Sequence, residues 1–144
     1  MSVAEIEPLV IAAVFLWIGF VCAISFMEAW LKFRAPDVTL KIALSIGRLV
    51  FKALNKVEWL FALVIYANLL FAGQLVFNSN NWLYYVPCLL LLFQTFWILP
   101  QLDSLAKMRI KGINLPASPL HFIYVAMEVI KVASLFIFSF KQFK

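Results

Sequence analysis

Four apolar runs dominate the chain, at residues 8–33, 59–77, 82–106 and 119–140. Each holds about the 20 mainly apolar residues that a bilayer crossing needs. Pro8 suits a first helical turn, where its missing N–H costs nothing. The polar stretch NSNN at 78–81 reads as a short turn between the second and third runs. Between the first two runs, APDVTLKIALSIGRLVFKALNKVE has a different pattern. Leu40, Ala43, Leu44, Leu49, Val50 and Leu54 alternate with Lys41, Arg48, Lys52 and Lys56 at roughly helical spacing, which is an amphipathic signature. Asp37 or Thr39 can cap its start. The pattern predicts a helix that begins near Val38 and bends into the second crossing.

The expected fold class is therefore all-α: a polytopic integral membrane protein with four transmembrane helices in an antiparallel bundle. The helices are expected at about 8–33, 38–77, 82–106 and 119–140, in a single domain covering 1–144.

Composition supports lipid as the solvent. Of the 144 residues, 65% are hydrophobic and 13% charged, and the mean hydropathy is +0.99. Soluble domains are nearer half apolar and about a quarter charged. A chain of this size cannot hide so much apolar surface from water. The N-terminal MSVAEIEPL has neither a basic n-region nor a small-residue cleavage site, so no removable signal peptide is expected. Cys22 and Cys88 stand alone in apolar runs without a C-x-x-C, as buried inert thiols do.

The formal net charge of +5 is unevenly placed. Lys32, Arg34, Lys41, Arg48, Lys52 and Lys56 surround the first connection, and Lys107, Arg109 and Lys111 the third. The opposite side carries only Lys141 and Lys144. The positive-inside rule then puts both termini outside and both basic connections in the cytoplasm. The expected location is a bacterial inner membrane. The expected partners are the bilayer, anionic lipids at the basic loops and, for a path through so small a bundle, further copies of the chain. No nucleic-acid reading motif is present, so nucleic acid is not an expected partner. Aromatics mark the helix ends, with Trp30, Trp59 and Trp97 toward the basic side and Trp82, Tyr84 and Tyr85 toward the other.

Ionisable residues inside the apolar runs carry the candidate chemistry. On this topology Glu28, Glu58, Asp103, His121 and Glu128 all fall in the cytoplasmic half, each helix contributing at least one acid. His121 and Glu128 are seven residues apart and share a helix face. Lys131 is three past Glu128, within reach of an intrahelical pair. Such groups cost about 2.5–3.5 kcal/mol each on insertion scales, so they are expected to face inward and to have partners.

Two accounts fit. In one, the acids pair with bases, Glu28 with Lys32, Asp103 with Lys107, Glu128 with Lys131, and Glu58 with Lys56, Asn55 or a base on a neighbouring helix. The pairs then only hold the helices together, as in a structural or assembly subunit. In the other, Glu28, Glu58, Asp103, His121 and Glu128 converge on a cation or small ligand, which is bound or transported. Asn55, Gln101, Lys131 and Arg48 support that site. Glu28, Glu58 and His121 would be the ligands of a divalent metal, since carboxylates with an imidazole suit such an ion. The paired Glu-x-x-His signature of di-iron bundles is absent.

Catalytic motifs are also missing. The chain has no G-x-S-x-G and no H-E-x-x-H, and no serine is marked as a nucleophile beside the single histidine. No catalytic residue is assigned. An enzyme acting on a lipid-soluble substrate through a glutamate and His121 is the third reading. Pro87 and Pro100 are candidate kinks in the third helix.

Two segments, SFMEAWLKFRAP followed by IGRLVFKALNKVEW, and RIKGINLPASPLHFIYVAMEVIKV near the end, carry a resemblance. They are similar to the small four-helix membrane family that includes transmembrane protein 205 and bacterial domains of unknown function. The likeness covers about half the chain. It implies a four-helix integral membrane protein with indirect links to metal or drug handling.

Overall fold

The computed structural model describes residues 8–72 and 82–142, and these are helical throughout apart from short connections. Four long helices follow in order: α1 (Pro8–Arg34), α2 (Leu40–Phe71), α3 (Trp82–Ile110) and α4 (Leu120–Gln142). Helices α1, α3 and α4 are long and apolar enough to cross a membrane. The part of α2 up to Glu58 carries that acid and four bases, Lys41, Arg48, Lys52 and Lys56, and only the remainder is strongly apolar. That run continues past Phe71 out of the described residues, as do the expected turn at 78–81, Gln74 and Lys144.

The helix ends follow local chemistry. Pro36 disfavours helical backbone in the residue before it, and Ala35 is extended, with φ −65° and ψ 134°, so α1 stops at Arg34. Of the two expected caps, Thr39 serves: its Oγ1 accepts from the Ile42 N–H at 3.3 Å. Asp37 instead takes a left-handed turn conformation, with φ 65°. The amphipathic stretch and the following apolar run form one continuous helix. At the end of α3, Gly112 has φ 85°, and the Ile113 and Gly112 amides reach back to the Met108 and Arg109 carbonyls at 3.1 and 3.0 Å. This is the glycine-terminated C-cap that satisfies the last carbonyls. Ser118 Oγ accepts from the Leu120 amide at 3.3 Å and opens α4 behind Pro119.

Two helices contain a wider turn. Residues Cys22–Glu28 of α1 and Gln94–Ile98 of α3 are π-helical. In α3 the cause lies in the sequence. Pro100 has no N–H for the Phe96 carbonyl. The ladder shifts, and the Leu99 N–H bonds the Gln94 carbonyl, five residues back. In α1 the matching bond runs from the Ala29 N–H to the Ile24 carbonyl.

Helix α1 packs against α2 and α4, and α3 packs against the same two. The main core draws Val14 and Trp17 from α1, Ile65 from α2, Leu91 from α3, and Leu135 and Phe138 from α4. A smaller cluster around Ile98, Tyr124 and Met127 sits nearer the α2–α3 contact, with Phe51 and Leu102 against it. The outward faces are apolar as well. Phe96 is 76% and Phe122 78% exposed, which is costly in water and favourable in lipid. Both cysteines are free thiols.

Candidate functional site

The polar residues form two tiers. The inner tier lies in the core and is centred on Lys131 of α4. Its ammonium donates to Glu58 Oε1 at 2.6 Å, to Glu128 Oε1 at 2.8 Å and to Gln94 Oε1 at 2.5 Å. A lysine has three donors, and all three are used. Gln94 Nε2 also donates to Glu128 Oε1, at 2.6 Å, and Ser25 Oγ donates to Glu128 Oε2 at 3.3 Å. Trp17 Nε1 donates to Glu58 Oε1 at 2.9 Å. All four helices therefore contribute, and Lys131, Glu58, Glu128 and Gln94 are each at most 1% exposed. Both π-helical turns belong to this tier, since Ser25 and Gln94 lie within them. An inserted residue turns a helix by about 100°, which changes the side chain presented to the neighbours.

A lateral bridge lies beside it. Thr95 Oγ1 is 2.9 Å from both Asn55 Nδ2 and Trp59 Nε1, and itself donates to the Leu91 carbonyl at 2.7 Å. Trp59 is thus an interhelical donor. The same holds for Tyr84, which is buried and donates to the Ala62 carbonyl at 2.7 Å.

The outer tier sits at the end where α1 and α3 terminate and α2 and α4 begin. Asp103 Oδ1 meets Arg48 Nε at 2.7 Å and Lys52 Nζ at 3.2 Å, and its Oδ2 meets Lys107 Nζ at 3.1 Å. Glu28 meets Lys32 Nζ at 3.2 Å. The Lys32 side chain is only 9% exposed. Its ammonium also lies 5.6 Å from the centre of the Phe33 ring and 5.2 Å from that of Phe51. These aromatic faces offset part of its lost hydration. Gly47 gives the seat room, because a Cβ at that position would stand 3.0 Å from Lys32 Nζ and the ammonium would have to shift by a few tenths of an ångström.

A cavity of about 380 Å³ opens between these elements. Lys32, Arg48, Lys52, Asp103, Arg109 and His121 supply its polar wall. Leu44, Phe51, Leu99 and Leu102 are part of the apolar remainder. The volume lies at the lower end of the range of about 300–1,000 Å³ for small-molecule sites.

The single five-residue convergence expected from the sequence does not form. Glu58 and Glu128 meet through Lys131, while Glu28, Asp103 and His121 belong to the outer tier. The reason is electrostatic: several carboxylates in a poorly hydrated space repel, and each is drawn to a nearby cation, Glu58 and Glu128 to the shared Lys131, Asp103 to three bases and Glu28 to Lys32. The metal set Glu28, Glu58 and His121 is not assembled. Among the described residues no group of three or more His, Cys, Asp or Glu side chains is placed to hold a metal ion. Of the supporting residues, Arg48 and Lys131 serve as partners, Asn55 joins the Thr95 bridge, and Gln101 is exposed on α3. The local pairs Glu28–Lys32, Asp103–Lys107 and Glu128–Lys131 form as their spacing predicts. Trp17, Ser25 and Thr95 escaped the sequence reading, because their types are common on apolar helices. The one available signal was Pro100, whose missing N–H displaces the turn that presents Gln94.

Searches against family models, curated proteins and solved structures returned no match to this chain.

Proposed function

We propose that this is an integral membrane protein that binds a small ligand in the cavity at its basic end. The carrying observation is the cavity itself, with the nearly buried ammonium of Lys32 in its wall. In this reading the chain crosses the bilayer four times as an antiparallel bundle, as the family resemblance implies. The α2 helix is one of the four crossings, both termini lie outside, and the cavity faces the cytoplasm. His121, Asp103 and Glu28 belong to the ligand site or its supports, while Glu58 and Glu128 belong to the clamp that holds the helices around it. Resident cation binding is the weaker form of the proposal, because the acids are already answered by Lys32, Arg48, Lys52, Lys107 and Lys131.

Native mass spectrometry of the gently solubilised protein tests the reading. The wild-type chain is expected to carry a discrete non-covalent adduct, and Gly47→Leu, which adds bulk at the cavity wall, is expected to lose it. A wild type without an adduct, or a variant that keeps it, defeats the proposal. Topology is tested separately by a cysteine placed at Asn80, which impermeant maleimide should label from outside.

One observation favours a second reading, that of a structural or assembly subunit. The inner tier joins all four helices, and its buried side-chain polar atoms lack no partner among the described residues. If no cavity variant changes any adduct while inner-tier variants lower stability, this reading replaces the first.

A further inference from the structure

The charge at the cavity narrows the ligand. Four bases line it, Lys32, Arg48, Lys52 and Arg109, against the acid Asp103, and the pairing partners Lys107 and Glu28 add one charge of each sign. Three positive charges are therefore in surplus. Among the described residues the Arg109 guanidinium has only a 3.4 Å hydrogen bond to the Pro116 carbonyl, with no acid paired to it. Such a field repels a metal cation and attracts an anion. Lys32 is the group most prepared for contact. Its side chain is already largely withdrawn from solvent, at 9% exposed, and its ammonium is approached by Glu28 and two aromatic rings in the space left by Gly47. An anionic oxygen beside it would not have to displace a full hydration shell.

The rest of the wall is of the opposite kind. Leu44, Phe51, Leu99 and Leu102 offer no partner to a second polar group. A small hydrated anion would leave them dry and unmatched, whereas an alkyl chain covers them. The volume of about 380 Å³ takes a compact head and part of one chain, not the two chains of a bilayer phospholipid. Basic pockets between membrane helices are known receivers of lipid head groups. We infer, resting on the cavity reading above, that the ligand is a single-chain anionic lipid. Its phosphate or carboxylate sits against Lys32, with Arg48 and Arg109 at the rim, and its chain lies along Phe51 and Leu102.

The test titrates purified protein in a non-ionic detergent with 1-oleoyl lysophosphatidic acid, with lysophosphatidylcholine of the same chain, and with inorganic phosphate. Retention of each is read by native mass spectrometry. Wild type is expected to hold the phosphomonoester about tenfold more tightly than the zwitterion, the size of one charge-assisted contact. Lys32→Met keeps the stem and loses that preference; Arg109→Gln, at the rim, loses part of it; Gly47→Leu loses both lipids. Elution volume and circular dichroism establish that each variant is folded. Equal retention of the two lipids, with loss in Gly47→Leu, overturns the anionic head and leaves the cavity reading standing. Retention of neither lipid by wild type overturns the lipid assignment, and the cavity reading then stands or falls by the adduct carried from the membrane. Inorganic phosphate that displaces the lysophosphatidic acid at equal concentration assigns the site to a water-soluble anion and overturns the lipid. A preference unchanged in both Lys32→Met and Arg109→Gln overturns it as well.

Discussion

Lys131 and Glu58 are 73 residues apart in the chain and 2.6 Å apart in the core, both essentially without solvent contact. Their pairing ties α4 to α2, and Gln94 and Glu128 complete the ammonium's three hydrogen bonds. The network holds two carboxylates and one ammonium, and this imbalance makes the consequences of substitution unequal.

Lys131→Met should be the most damaging change in the protein. It leaves two acids facing each other in an apolar core, where removal of one partner of a buried pair costs about 3–5 kcal/mol. Glu128→Gln leaves Lys131 paired one-to-one with Glu58 and should cost clearly less. Thermal unfolding in detergent checks the order. Equal losses for the two variants would refute the charge imbalance as its cause.

Thr95 accepts from Asn55 and Trp59 together. Thr95→Val keeps the shape and strands two donors, at about 1–3 kcal/mol for each one left unpaired. Thr95→Ser retains the acceptor and should be close to wild type. Trp59 fluorescence provides a local reading, with a shift expected in the valine variant and none in the serine variant.

Asp103 faces three bases of different burial. The Arg48 side chain is 26% exposed, whereas those of Lys52 and Lys107 are each 54% exposed. Exposed pairs contribute about 0.2–1 kcal/mol and are screened by salt. Double-mutant cycles with Asp103→Asn should give Arg48→Gln the largest coupling and Lys107→Gln one near zero. Added salt should weaken the Lys52 and Lys107 couplings first.

Pro100→Ala supplies the missing N–H to the Phe96 carbonyl and should let α3 regain its ordinary ladder. Gln94 would then rotate away from Lys131 and Glu128. The variant should lose stability and be non-additive with Gln94→Leu, since both remove the same bonds. Full additivity in the double variant would show that the π-helical turn does not position Gln94.

Much of the fold was legible because its signals are local. A run of about 20 apolar residues marks a helix whatever surrounds it. Thr39, Pro36, Gly112 and Ser118 act on backbone groups within five residues of themselves. The pairs Glu28–Lys32, Asp103–Lys107 and Glu128–Lys131 follow from the helical repeat alone. Glu28 and Asp103 lie at the end of the bundle that their distances to the chain's turns indicate, whereas Glu58 and Glu128 lie deeper, in the core.

The grouping of these acids was not readable. Sequence spacing gives height along a helix but not its rotation toward its neighbours, and one residue corresponds to about 100°. The π-helical turns at Cys22–Glu28 and Gln94–Ile98 alter that rotation where Ser25 and Gln94 enter the core. Packing of all four helices then brought Glu58 and Glu128 to Lys131, and left Glu28, Asp103 and His121 around a separate cavity. Composition and periodicity thus settled which segments are helices and which of them suit lipid. The division of five ionisable residues between a buried clamp and a basic cavity came from contacts between residues far apart in the chain, where the scarcity of water draws each acid to a cation, even a shared one.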